Sequence, residues 1–409
     1  MALTYLCTIY GNIRCGIICR ELPEMTMIKE QKEMDIKKSA LIWLSPLFFL
    51  AACSDNDDVN TKEEKMYISS IQKKEIYEIQ QPAKPNVSRG LIVGHMNNSI
   101  NINEIEKGLM NLSVDHFSPK SFYMQEGQYL DKNIINQWLA RKTEEGLGLN
   151  PAIENSTGNV LEDEKKNPLI LSHVLEQNFI NKKSGKIEGM SLAISLNEFY
   201  DIRVSDDKGL IYTGQVKVDN TDNGVNDVAE YGKKVAESII KDLRKNATIP
   251  NVPIYLTLYQ ESNKNDIIPG VFLADTYIAE GKEKIDKWND IDKKDYTFPS
   301  DALYSLDQDT YNQLLKFKED IQQNFKHLNP KIIGKLRYEN GKLADIKIEV
   351  HAPLINDTEL IGLLQFIGTK LNTILFDYVP VSIRIIDQNQ DIGIVLWDPK
   401  EKQIFATPI

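Results

Sequence analysis

Asn251-Val-Pro-Ile-Tyr-Leu-Thr-Leu-Tyr259 and Tyr378-Val-Pro-Val-Ser-Ile-Arg-Ile-Ile386 are the two stretches on which the fold turns. Each places a proline at the start of an alternating run, where a strand tolerates the missing N–H. Each is followed by a second strand that opens on glycine, Gly270-Val-Phe-Leu-Ala and Gly393-Ile-Val-Leu-Trp. The same order of elements lies upstream of both. Leu130-Asp131 through Leu139 matches Leu306-Asp307 through Leu315, and in each the aspartate stands where a helix cap is needed. Hairpins are expected at Asp201 to Val218, turning at Asp206–Gly209, and at Ile332 to Val350, turning at Glu339–Gly341. Helices are expected over Asp227 to Lys245 and Thr358 to Leu375. In the first of these Val228, Val235, Ile239 and Leu243 form one apolar stripe.

The repeated unit therefore reads helix, hairpin, helix, hairpin. The fold class is α+β, with two tandem, duplicated helix-hairpin units and antiparallel sheets. The spacing between matched segments is longer in the first copy, which places extra residues around 143–189. The first repeat domain, with this insertion, is expected to span 86–295 and the second 296–409. The polar stretch Asp286 to Lys294 is the expected join.

The cysteines follow a different logic. Cys7, Cys15, Cys19 and Cys53 fall at the start of a 409-residue chain, and the rest has none. That excludes a disulfide framework or a thiolate zinc site in the body. The charge is acidic, 48 Lys and Arg against 59 Asp and Glu, without a basic stripe. A nucleic-acid surface needs clustered cations to neutralise phosphates, so no nucleic-acid partner is expected.

From Met34 the chain reads as a secretory signal: Lys37 and Lys38, the apolar run Leu41 to Leu50, then small residues. The apolar run is too short for a comfortable membrane span of roughly 20 residues. Leu50, Ala51, Ala52 and Cys53 form a lipobox, with small residues around the scissile bond and a sulfur to carry diacylglycerol and its palmitate-class chains. Residues 34–52 are thus the expected lipoprotein signal peptide and Cys53 the lipidation site. Residues 53–85 read as a polar tether. Residues 1–33 fit no signal layout and read as an upstream-start artefact preceding Met34. The expected location is the extracytoplasmic face of a bacterial membrane, reached through the lipid anchor.

Motifs for chemistry are sparse. Gly189-Met-Ser191-Leu-Ala193 resembles a nucleophile elbow, but Ala193 replaces the second glycine, and Ser191 reads as a solvent-facing strand residue. Gly146-Leu-Gly148 lacks the third glycine of a dinucleotide fingerprint. His95, His116, His173, His327 and His351 are scattered away from ligand spacing, although His116 and His173 are candidates for a shared polar site. Asp219 to Glu230 spaces oxygen ligands like a calcium loop, but Thr221, the polar Asn226 and an entering strand favour a strand-to-helix turn capped by Asn226 or Asp227, with Glu230 completing a capping box. The expectation is a non-enzyme with no cofactor and no metal.

The chain resembles the CamS family of sex-pheromone lipoproteins of staphylococci and related Gram-positive bacteria. Ser88-Arg-Gly-Leu-Ile-Val93, His116-Phe-Ser-Pro119, Phe122-Tyr-Met-Gln-Glu-Gly-Gln-Tyr-Leu-Asp131, Gly148-Leu-Asn-Pro151 and Leu171-Ser-His-Val-Leu-Glu-Gln177 carry the resemblance. It implies that the signal peptide is trimmed to a heptapeptide sensed through a peptide pheromone receptor. The corresponding segment is Pro46, Leu47, Phe48, Phe49, Leu50, Ala51 and Ala52. Pro46 and Leu47 depart from the Ala-Ile start associated with the active peptide. The segment therefore has two readings, a pheromone or only the apolar core of a signal. The body then stands as part of a precursor or as a ligand-binding or scaffolding lipoprotein, using a cleft between its repeats.

Overall fold

The computed structural model describes residues 77–96, 98–146, 148–219, 227–373 and 378–409. The signal peptide, the lipobox with Cys53, the segment Pro46–Ala52 and residues 220–226 of the calcium-type loop lie outside the described residues. Among the described residues no helix is long and apolar enough to cross a membrane.

The first half contains helices α1 (Arg89–His95) and α2 (Ser99–Ser113), strand β1 (Phe122–Glu126), and helices α3 (Lys132–Leu139) and α4 (Val160–Lys166). Strands β2 (Leu171–Asn181), β3 (Ile187–Leu196), β4 (Phe199–Ser205) and β5 (Ile211–Lys217) follow. Then come helix α5 (Val228–Lys245) and strands β6 (Ile254–Gln260), β7 (Val271–Ile278) and β8 (Asn289–Asp290). The second half has β9 (Lys293–Phe298), α6 (Asp301–Leu306), α7 (Gln308–Asn324), β10 (Lys331–Glu339) and β11 (Lys342–His351). It ends with α8 (Asp357–Thr373), β12 (Val381–Asp387), β13 (Gln390–Asp398) and β14 (Gln403–Pro408).

Two six-stranded sheets result, ordered β1-β2-β3-β6-β7-β8 and β9-β10-β11-β12-β13-β14. Within each, one central pair is parallel, β3 with β6 and β11 with β12, and the other pairs are antiparallel. Leu192 stands beside Leu256 in one parallel pair and Ile348 beside Ile383 in the other. The expectation of purely antiparallel sheets is corrected here. A helix carries the chain between the two parallel strands, α5 in the first half and α8 in the second, and such a crossover is what parallel pairing requires.

The hairpin at Asp201 to Val218 is not the counterpart of Ile332 to Val350. It forms a separate two-stranded sheet, β4 with β5, lying against α4. The counterpart is β2–β3, from the stretch expected to be an insertion. Both strands are buried on both faces, so they lack the alternation that marked the other strands. The half-exposed β4–β5 ribbon has that alternation. β9 forms the edge of the second sheet, so the crossing falls at Ile291–Asp292, inside the polar stretch Asp286 to Lys294 and a few residues ahead of the 295/296 boundary.

The residues expected to close the tether are partly docked. Tyr77 is buried with its hydroxyl donating to the Phe117 carbonyl, and Ile79 pairs in parallel with Met124 of β1. An apolar Tyr–Phe179 ring contact holds this end, so the stretch from Tyr77 onward is body and not free tether.

The helices divide the core. On one face of the first sheet, Trp138 of α3 and Val235, Ile239 and Leu243 of α5 pack on Leu192, Ile194 and Leu256. On the other face, Ile92 of α1 and Ile105 and Leu109 of α2 pack on Leu175, Phe179, Tyr255 and Tyr259. Each such side chain contributes roughly 1.5–3 kcal/mol by leaving water. In the second sheet, α7 and α8 cover one face through Leu314, Phe317, Leu363 and Ile367. The caps are as expected: Asp131 accepts from the Asn133 and Ile134 N–H groups, Asp307 from Thr310 and Asp227 from Ala229 and Glu230. Glu230 pairs with Lys233 at 2.7 Å.

Candidate functional site

A cavity of about 190 Å³ lies where α1 and α2 cross β2, closed on another side by β1. Ile92, Met110, Met124 and Leu175 give it an apolar wall, and Glu106, Glu126, His173 and Gln177 a polar one. Arg89 and Lys107, both exposed, stand at its lining. Three of the five segments that carry the family resemblance thus meet here: Ser88–Val93, Phe122–Asp131 and Leu171–Gln177.

Local chemistry explains the shape. Glu176 turns the chain after β1 by collecting backbone amides. Its carboxylate accepts from Gln128 at 3.1 Å, Tyr129 at 3.0 Å and Leu130 at 2.7 Å. Burial pushes that carboxyl up in pKa, against the pull of those amides. Gly127 must be a glycine for the turn to sit so close, since a Cβ there would come within 2.7 Å of the Glu176 Cβ. Glu126 accepts from the Asn86 N–H at 2.6 Å and faces Arg89 at 3.7 Å. α2 is held down by Asn101, fully buried, whose Oδ1 accepts from Gly270 at 2.7 Å and the Tyr259 hydroxyl at 2.9 Å.

The polar wall is incompletely paired. Gln177 donates through Nε2 to the Glu106 carbonyl at 2.8 Å, while its Oε1 is buried without a partner. His173 is 1% exposed with Nδ1 unpaired. Burial and neighbouring His95 push its imidazole down to about 3, so it is neutral. His95, whose ring centroid lies 5.9 Å from that of His173, is also lowered by burial. Glu106 is raised by burial and by Glu126, with Arg89 and Lys107 opposing. The set offers hydrogen bonds and charge in a half-dry pocket; it places no nucleophile beside a base.

His116 and His173 do not come together. His116 is stacked on Tyr277 at 4.9 Å and lies 4.5 Å from Tyr255, while His173 faces His95. Ser191 is fully buried, not solvent-facing, and its Oγ lies 2.7 Å from that of Ser113. Ser113 donates on to the Leu109 carbonyl, so the pair fastens α2 to β3. Gly148–Pro151 is structural: Asn150 accepts from the Ile170 and Leu171 N–H groups and donates to the Leu139 and Leu171 carbonyls. His327 and His351 pair with Glu359 and Glu349 at the surface. Among the described residues no group of three or more His, Cys, Asp or Glu is placed to hold a metal ion.

A second cavity of about 310 Å³ occupies the meeting of the two sheets, lined by Glu198, Glu261, Asp266, Asp295 and Tyr296 among others. Glu261 accepts from Ser195 at 2.8 Å and from Ser172, and burial pushes its carboxyl up to about 7. Behind the lining residue Asp295, Arg337 donates to that carboxylate at 2.8 Å and to Glu104 of α2 at 2.8 Å. Burial would raise Asp295, but Arg337 and Lys335 outweigh it and hold the carboxyl below its usual range. Sequence reasoning missed Asn101, Glu106 and Glu261. Each stands among other polar residues, Asn101 and Glu106 in Asn98–Lys107 and Glu261 between Gln260 and Ser262, so no local signal marked them.

A family described as CamS sex pheromone cAM373 precursor matches residues 84–403. No curated protein matches the chain. The fold is similar to a sex pheromone precursor from Lactobacillus salivarius subsp. salivarius UCC118. The TM-score is 0.68 at 24% identity, over 80% of this chain and 93% of that one. It is also similar to the C-terminal domain of the sex pheromone staph-cAM373 precursor from Staphylococcus aureus, with TM-score 0.63 and 27% identity, covering 77% of this chain and 98% of that one.

Proposed function

The chain belongs to the CamS sex pheromone cAM373 precursor family, and from that premise we propose that it is a lipoprotein held at the extracytoplasmic face of the bacterial membrane. Residues 34–52 are the signal peptide and Cys53 carries the diacylglycerol. One observation supports this most: Leu50-Ala51-Ala52-Cys53 lies upstream of a body whose family match begins at residue 84. Growth with an alkyne palmitate analogue tests it. The wild type is expected to be labelled and to sediment with membranes, and Cys53→Ser to be unlabelled and released. A labelled Cys53→Ser protein would remove the assignment.

On this reading the released segment Pro46–Ala52 is the precursor's pheromone product, and its partner is a peptide receptor on a responding cell. Synthetic Pro46–Ala52 peptide should induce clumping of responder cells; silence at micromolar peptide leaves a lipoprotein without pheromone activity. The reading includes no enzymatic step. We also take the two sheets as copies of one helix-and-hairpin unit, supported by their common strand order. A profile built on relatives of 331–398 that fails to find 171–278 would count against that origin.

A second reading concerns the body: a ligand-binding surface lipoprotein. Its support is the cavity under α1 and α2, with buried, unpaired atoms on His173 and Gln177. On this reading the ligand sits within the first half and not in the cleft between repeats that the sequence suggested. A ligand screen by thermal shift tests it, because a compound that binds only the folded state raises the unfolding midpoint.

A further inference from the structure

The chemistry of the cavity wall narrows what it takes, and this step rests on reading the cavity as a ligand site. Gln177 Oε1 is a buried acceptor with no donor. The Glu106 carboxylate accepts no hydrogen bond from a described residue, and Glu126 stands near enough to raise its pKa. His173 adds an unpaired ring nitrogen on the same strand. A buried polar atom left unpaired costs about 1–3 kcal/mol, and native folds keep few of them. The cations of the lining are in a different position. Arg89 is 66% exposed and already faces Glu126, so an anion would gain the small energy of a surface pair. A donor ligand gains more, because it satisfies buried acceptors through charge-assisted bonds.

The opposite wall, Ile92, Met110, Met124 and Leu175, suits a short aliphatic body. A dry cavity of about 150 Å³ accepts benzene. The volume here, about 190 Å³, suits a slightly larger body of roughly eight heavy atoms. We propose that this cavity binds a primary ammonium group on a short apolar chain, either the N-terminus of a hydrophobic peptide or a free amine of amino-acid size. Gln177 Oε1 and Glu106 receive its N–H donors, and Met110, Met124 and Leu175 take the chain.

The test is methyl NMR of the full chain in detergent, labelled at methionine, with Met110 and Met124 as reporters. L-leucinamide is expected to move both signals saturably. 4-Methylpentanamide, the same skeleton without the amine, is expected to bind about tenfold or more weakly, the loss of roughly one charge-assisted bond. Glu106→Gln should weaken leucinamide by a similar factor without changing the unfolding midpoint. Leu-Gly-Gly separates the sources: tighter binding than leucinamide marks a peptide N-terminus, weaker binding a free amine. Equal binding of the two amides, or a Glu106→Gln variant with unchanged affinity, overturns the ammonium assignment while leaving a ligand site. If neither amide moves Met110 or Met124, the ligand site falls as well.

Discussion

In the first sheet β3 is buried along nearly its whole length, whereas β11, in the same place of the second sheet, alternates buried and exposed residues. The strand orders agree, and so does the position of the parallel pair. The difference is the cover. α1 and α2 lie over the second face of the first sheet. On the second sheet the outer face carries the exposed ladder Glu349–Arg384–Asp391. Among the described residues, unpaired buried side-chain atoms occur on His95, His173, Gln177 and Asn178, all in the covered half. A topology thus becomes a site only where a second layer dries its polar residues.

The sharpest way to break the comparison is to loosen that layer. Asn101→Ala strands the Gly270 N–H and the Tyr259 hydroxyl inside the core. It should cost about 4 kcal/mol in urea unfolding, one unmet donor after another. A loss under about 1 kcal/mol would mean that α2 is not held by this residue.

Arg337→Met comes next, because it leaves buried Asp295 with Lys335 alone and cuts the bond to Glu104. About 2–3 kcal/mol is expected, below the full figure for a buried pair because Arg337 is 26% exposed. Its unfolding should also lose cooperativity between the halves; a single unchanged transition would count against the bridge.

Titration separates the two cavities by sign, His173 lining one and Glu261 the other. The Glu261 carboxyl titrates in the folded protein at about 7 against its ordinary 4.5. Its contribution is therefore full below pH 4.5 and is lost as pH climbs towards 7. His173, at about 3 against 6.5, contributes above pH 6.5 and loses that contribution as pH falls. Between pH 4.5 and 6.5 the two oppose each other. Glu261→Gln keeps the serine hydrogen bonds and should unmask a rise of stability with pH across that window. It should also stabilise the protein by about 2 kcal/mol at pH 8. A pH profile parallel to wild type would show that Glu261 is ionised when folded.

The smallest effect belongs to the uncovered sheet. Arg384, 47% exposed, bridges Glu349 and Asp391, and Arg384→Ala should cost under about 1 kcal/mol, shrinking further in high salt. A loss as large as that of Asn101→Ala would erase the distinction between the two faces.

Legibility followed the same divide. Val381–Asp387 was readable because a proline start and alternation survive partial exposure, and Ile254–Gln260, though buried on both faces, because its proline start marks the strand. The caps Asp131 and Asp307 were readable because capping is local. β2 and β3 were not: wrapped on both faces, they carry His173, Gln177 and Ser191 inward, where a polar residue in a strand reads as outward. Ser191's partner, Ser113, is on a distant helix, and nothing in either neighbourhood announces the contact. The cavity was visible only as three separate segments of a resemblance, since its geometry depends on how α1, α2, β1 and β2 meet.

The docking of Tyr77 and Ile79 on β1 has a mechanical side. On the proposed anchor, about two dozen residues separate Cys53 from Tyr77, a reach of no more than about 80 Å when fully drawn out. Tension from the bilayer would then arrive first at Ile79 and its partner Met124, through the Glu78 carbonyl and Gln80 amide that pair with it. Met124 also walls the cavity, so a taut leash would pull on the pocket itself, and a slack one would leave it at rest.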